Sequence, residues 1–295
     1  MDLQRFGLKH RPFPSAPDTA SYYPASTHES ALTLLLRGLA EDETFVLLTG
    51  EPGTGKTLLA YLVLERLGET VESAYLANSH FADRCALLQA ILYDLKRPYD
   101  DQNEQRLRLQ LTDQLLQTAA SGKRTVFVID EAHLLGADVL EELRMLANLQ
   151  TGAGKALQIV LIAQPALLNT LAYAGLESLR QRIAIRATLG ALPAEEAYDY
   201  LTHHLRTAGG KPEKIFDDTA LEVLARGTHG VPRCLNQAAQ QSLMLAENGE
   251  LATVDAEAAL EALAMLGLSV DEAGDKPDND GEPTHPNIQK FFRTA

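Results

Sequence analysis

Hydrophobic and polar positions along the chain fall into two regimes. Up to about residue 190, short apolar runs alternate with stretches in which leucines recur at helical spacing. FVLLTG (45–50), TVFVIDEAH (125–133) and LQIVLIAQ (157–164) are nearly continuous apolar runs. Runs of that kind are strands of a parallel sheet covered on both faces. VESAYLAN (71–78) and RIAIRA (182–187) alternate, which predicts two further strands. Between them the spacing predicts helices over 28–40, from about Lys56 to Leu67, over 80–96, 104–121 and 137–149, and from about Pro165 to Ala172. Repeated β-α-β order of this kind predicts an α/β fold, a parallel sheet in a three-layer α/β/α arrangement.

After residue 190 no further strand is expected. Residues 194–208, 217–226, 232–247 and 254–266 read as helices, punctuated by Pro193, Gly209-Gly210, Gly227, Gly230 with Pro232, and Gly249. The chain therefore divides into a core at 1–190, a small all-α domain at 191–267, and a tail at 268–295. DEAGDKPDNDGEPTHP (271–286) within the tail is polar, acidic and rich in Pro and Gly, so it is expected to be disordered.

Composition narrows the function classes. The chain has 295 residues, 45% hydrophobic and 22% charged, which is ordinary for globular proteins. A net charge of −14 disfavours a surface devoted to phosphate backbones, although a local basic patch is compatible with it. Cys85 and Cys234 cannot form a disulfide framework or a four-ligand zinc site. No apolar run approaches the roughly 18 residues of a membrane span, and MDLQRFGLKHRPFP lacks the apolar stretch of a signal peptide. A cytoplasmic location is the expectation.

Chemistry enters at Gly50-Glu51-Pro52-Gly53-Thr54-Gly55-Lys56-Thr57, followed by Leu58. The spacing fits the phosphate-binding loop G-x-x-x-x-G-K-[ST], with a buried strand before it and a helix after it. Glycines let the backbone curl so that successive N–H groups face a polyphosphate, and the helix N-terminus adds positive dipole. Lys56 can reach the β- and γ-phosphates, and the Thr57 hydroxyl can coordinate Mg²⁺. Val126-Phe127-Val128-Ile129-Asp130-Glu131 is the partner motif. Asp130 can hold Mg²⁺ through a water, and Glu131 can act as general base on the attacking water. The strand at 71–77 lies between the two motifs in sequence, which indicates the inserted-strand type of nucleoside triphosphatase.

On these motifs the chain resembles the AAA+ ATPases, P-loop NTPases with a nucleotide-binding core and a helical lid. More narrowly it resembles the ExeA/GspA-type ATPases of secretion and pilus-biogenesis operons. FGLKHRPF, GEPGTGKT, VIDEAHLL, EELRMLANLQ, LQIVLIAQP, LRQRIAIR and GVPRCLNQ carry the likeness, over roughly residues 3–266. Transposition-regulator ATPases of the TniB/TnsC type share much of this pattern. Longer ExeA-like proteins add a transmembrane helix and a peptidoglycan-binding module; neither is expected here, which leaves a direct secretion-pore role unsupported.

The resemblance implies ATP and Mg²⁺ as cofactors and assigns further roles. Asn78, ending the second strand, either restrains the catalytic glutamate or caps a helix. Gln164 falls at the sensor 1 position and would orient the attacking water. Arg182 or Arg180, with Arg186 nearby, would enter a neighbouring subunit's site. Arg233 would be sensor 2. Phe6, Leu8 and Pro12 would form a wall near the adenine, with Tyr22 and Tyr23 as weaker candidates. His133 completes a DEAH string but reads as incidental, and adjacent His203 and His204 read as solvated. The function expected is an oligomeric, hydrolysing ATPase that assembles or remodels a protein partner. The alternatives are a DNA-associated ATPase, for which Arg106, Arg108, Lys123, Arg124 and Lys155 are available, and a nucleotide-gated scaffold that turns over slowly.

Overall fold

The computed structural model describes residues 2–68, 70–100, 103–152 and 154–269. From residue 270 onward the tail predicted to be disordered lies outside the described residues.

The core strands are β1 (Phe45–Gly50), β2 (Val71–Leu76), β3 (Arg124–Ile129), the short β4 (Gln150–Thr151) and β5 (Gly154–Lys155), then β6 (Gln158–Ala163) and β7 (Ile183–Leu189). The helices among them are α1 (Ser26–Ala40), α2 (Lys56–Leu67), α3 (Arg84–Asp94), α4 (Glu104–Ala120), α5 (Ala137–Leu146), α6 (Ala166–Leu171) and α7 (Glu177–Arg182). Five strands form one parallel sheet in the order β2-β3-β6-β1-β7. Every residue of β1 and β6 is buried, which explains their continuous apolar sequence. Alternate side chains serve opposite faces. Phe45, Leu47, Phe127, Ile129, Ile159 and Leu161 join one core with leucines of α3, α4 and α5. Val46, Leu48, Val126, Val128, Val160 and Ile162 join another with Leu32, Leu35, Leu59 and Val63 of α1 and α2.

Two expectations change. β2 lies at the sheet edge, and β6 is the strand that separates β1 from β3. The inserted-strand arrangement is present, but the inserting strand comes after both motifs in sequence. The helix expected over 80–96 begins only at Arg84, because the Asp83 carboxylate accepts from Ala86 N and fixes the start. The stretch 150–155 carries the antiparallel β4–β5 pair.

Beyond the sheet lie α8 (Ala194–Thr207), the one-turn α9 (Pro212–Ile215), α10 (Asp218–Gly227), α11 (Pro232–Asn248) and α12 (Ala256–Met265). Asp217 and Asp255 cap α10 and α12 through Ala220 N and Ala258 N. These helices share a separate core that also takes in Phe6, Leu8, Phe13 and Ala25 from the N-terminal segment. Phe6 and Leu8, expected beside the adenine, are therefore interior packing of the helical region.

Candidate active site

The phosphate loop is built between the end of β1 and the start of α2. Gly53 (φ 83°) and Gly55 (φ 98°) occupy the left-handed region, where side chains other than glycine are strained. A Cβ on Gly55 would lie 3.0 Å from His28 Nε2. His28 itself is buried and its Nε2–H donates to Thr54 O at 2.9 Å, buttressing the loop from α1. Burial holds the His28 pKa below its usual value, against the raising effect of that backbone bond. Lys56 is buried, and its Nζ donates to Glu51 O at 2.9 Å. Burial lowers its pKa, while the charges of Glu131, Asp130 and Glu51 oppose that and Arg233 adds to it. Glu51 is exposed, and Leu58 points toward the neighbouring cleft.

β3 delivers its acids across from this loop. Thr57 Oγ1 donates to Asp130 Oδ2 at 2.6 Å, so the two hard-oxygen groups expected at the metal meet directly. A hydroxyl, a carboxylate and adjacent phosphate oxygens are a donor set suited to Mg²⁺. Asp130 is fixed on every side. Its Oδ1 accepts from Glu131 N at 2.8 Å, Ser79 Oγ donates to its carbonyl, and Tyr75 Oη lies 3.4 Å from Oδ2. Glu131 has φ 52°, an uncommon left-handed conformation at a non-glycine residue.

The remaining candidates are placed as follows. Asn78 is exposed, and its Oδ1 accepts from His80 N in a local turn; it makes no bond to Glu131, and the buried residue on that strand end is Ser79. Gln164 ends β6, with its backbone N–H directed at His133 Nδ1, 3.4 Å away. Gly53 faces the helical region: Arg233 N donates to Gly53 O at 3.1 Å. Arg182 bonds Asn148 Oδ1, and Arg186 bonds Arg180 O at 3.1 Å. Arg180 is exposed and makes no side-chain hydrogen bond or ion pair among the described residues.

A cleft opens beside the loop, lined by Tyr22, Tyr23, Leu58, Leu192, Tyr200 and Pro232. The two tyrosines, the weaker candidates in sequence, face it, whereas Phe6 and Leu8 do not. His204, expected to be solvated, is buried between Phe13 and Tyr200, at ring-centroid distances of 6.1 Å and 4.3 Å. Burial, with help from the neighbouring His203, pushes its pKa down to about 4.

Residues 39–171 match the AAA domain family.

General secretion pathway protein A of Aeromonas hydrophila is 38% identical over 270 residues, 91% of this chain and 49% of that protein. The chain thus spans about half the length of this relative. The Holliday junction branch migration complex subunit RuvB of Chlorobaculum tepidum is 27% identical over 266 residues, 86% of this chain and 66% of that protein. The ORC2 protein of Aeropyrum pernix, solved as ADPNP–ADP complexes, superposes with a TM-score of 0.63 at 18% identity, over 80% of this chain and 66% of that one. An identity that low establishes the fold alone: a P-loop AAA+ fold with a helical C-terminal region. The likeness to transposition ATPases finds no counterpart among these three. Among the described residues no helix is long and apolar enough to cross a membrane.

His28, Ser79 and Tyr75 escaped the sequence reading, and His133, visible in the DEAH string, was given no role there. Only Ser79 and Tyr75 carried a signal, lying on or just past the strand that alternates toward β3. His28 is one histidine on an amphipathic helix, and nothing local marks it.

Proposed function

We propose that this protein is a Mg²⁺-dependent ATPase whose residues 191–267 form a nucleotide-sensing lid over a core at 1–190. One observation carries the reading: Lys56-Thr57 at the start of α2 and Asp130-Glu131 just after β3 converge, with Thr57 Oγ1 2.6 Å from Asp130 Oδ2. Backbone N–H groups of residues 53–57 and the start of α2 bind the phosphates. Lys56 swings from Glu51 O to the terminal phosphates. Thr57 and Asp130 hold Mg²⁺, which supplies positive charge to the phosphate oxygens when bound. The Glu131 carboxylate takes the proton of the attacking water, and the Gln164 amide orients that water. Adenine enters the cleft at Tyr22, Tyr23 and Leu58.

Arg233 couples the lid to this chemistry, supported by its backbone bond to the loop. Arg180 is our choice for the arginine that reaches a neighbouring copy, because its side chain is uncommitted while Arg182 and Arg186 are engaged. A homo-oligomer follows from that assignment. The client is a protein complex of the secretion or pilus-assembly kind, reached from the cytoplasm; support comes from the name of the Aeromonas relative. A DNA-associated role draws on the RuvB likeness. Against it, Arg108, Arg124 and Lys155 are tied to Glu142, Leu39 O and Asp42 O, which leaves Arg106 and Lys123 with side chains that are uncommitted among the described residues.

The test is steady-state ATP hydrolysis, with and without double-stranded DNA, together with nucleotide affinity and mass in solution. Lys56→Ala should lose tight ATP binding. Glu131→Gln should retain it while turnover falls by about 10²–10⁴-fold. Wild-type affinity in the first, or wild-type turnover in the second, refutes the assignment. Stimulation by DNA would replace the protein client with the DNA-associated reading.

A further inference from the structure

His133 has no part in the phosphate chemistry above, yet both its ring nitrogens are directed at residues that do. It lies in the single 3-10 turn Ala132–Leu134 after β3. Its side chain is only 12% exposed. Nδ1 lies 3.4 Å from the backbone N of Gln164, and Nε2 lies 3.5 Å from Glu131 Oε2. A backbone N–H can only donate. Nδ1 must therefore present its lone pair to Gln164, which places the proton of the neutral ring on Nε2. That N–H faces the Glu131 carboxylate. The tautomer follows from the hydrogen-bond network.

We propose that His133 is a positioning residue that holds the Glu131 carboxylate toward the phosphates and ties it to the end of β6. The inference rests on the ATPase reading, because it gives Glu131 a proton to accept. Three features support it. Glu131 has one backbone dihedral in the left-handed region and a side chain 38% exposed, so packing alone does not fix its rotamer. Among charged neighbours, Glu131 is the one that acts most strongly on Lys56, so the carboxylate held by His133 also faces the phosphate loop. The alternative restraint, Asn78, is exposed and turned to its own loop, accepting from His80 N, and no bond joins it to Glu131 among the described residues. Both contacts of His133 are long, and contacts around a reacting centre shorten when substrate binds. Gln164 ends the strand inserted between β1 and β3. A shift of that strand end on γ-phosphate binding would pass through the imidazole to the general base.

The experiment is single-turnover and steady-state hydrolysis of Mg-ATP by the full chain, with ATP affinity measured separately. His133→Ala should lower kcat by about 10–100-fold, the usual cost of losing an orienting partner. ATP affinity and KM should stay within about twofold, which also shows that the site is folded. His133→Gln, with an N–H donor at similar reach, should recover most of the lost rate. His133→Ala in a Glu131→Gln background should slow the reaction no further, because the two residues act as a unit. Wild-type kcat in His133→Ala would overturn the proposal. So would equal losses in the alanine and glutamine variants with raised KM, the mark of a structural role. Wild-type protein without Mg-ATP turnover would overturn the ATPase reading itself, and the positioning role with it.

Discussion

Gly230 packs against Leu192, where the chain leaves β7 for the helical region, and replacing it with alanine has a cost that can be worked from geometry. Its φ is 68°, in the left-handed region. A Cβ there would lie 1.9 Å from the backbone O of Leu192 and 2.9 Å from its carbonyl carbon. Backbone cannot rotate away as a side-chain tip can. The same residue accepts Leu192 N at 2.8 Å through its own carbonyl. Holding alanine in this conformation costs about 1–2 kcal/mol. Moving Leu192 breaks a backbone bond worth about 1 kcal/mol and exposes buried packing. The expected loss for Gly230→Ala is thus about 3 kcal/mol, or roughly 6–12 °C in Tm for a chain of this size. Gly230 lies three residues before Arg233, whose N–H holds Gly53 O, so the lesion should reach the phosphate loop and weaken nucleotide binding as well. Differential scanning calorimetry and a fluorescent-nucleotide titration measure both effects. Gly175→Ala, with nothing within 4 Å of the added Cβ, is the control and should stay within about 0.5 kcal/mol of wild type. A Gly230→Ala protein with unchanged Tm and unchanged nucleotide affinity would refute the reasoning.

Two further predictions concern buried polar groups. Glu142 is fully buried and takes a bidentate bond from Arg108, Nε to Oε1 at 2.7 Å and Nη2 to Oε2 at 2.6 Å. Arg108→Met should cost about 3 kcal/mol in urea unfolding by stranding that carboxylate, and adding Glu142→Met should recover most of the loss; equal stability of wild type and the single variant would dismiss the pair. His204 has its pKa pushed down from 6.5 to about 4, so between those values the unfolded chain binds more protons than the folded one. Its contribution is present in full above pH 6.5 and is lost progressively as pH falls toward 4, about 2 kcal/mol at pH 5. His204→Phe should flatten the stability curve over that window, and an unchanged slope would show that another group sets it.

What could be read from the residues in order was chemistry carried by local spacing. The loop Gly50–Thr57 needs only a strand, a left-handed turn and a helix in succession, so contiguous residues specify it. Asp130 and Glu131 announce themselves because acids end an apolar strand. Sheet order, by contrast, is a global property. β6 follows both motifs in the chain yet lies between them in space, since parallel strands joined by helices need not be neighbours in sequence order. The same holds for the residues that act through the fold. Ser79 reaches Asp130, and His133 reaches Gln164, only because β2, β3 and β6 end at one level. His28 reaches the phosphate loop only because α1 packs beneath it. Phe6 and Leu8 were drawn into the helical core by apolar burial, which sequence position near the site could not foresee. Spacing along the chain determined which groups can touch phosphate. Tertiary packing decided which groups hold those groups in place, because orientation comes from contacts between segments that are distant in the sequence.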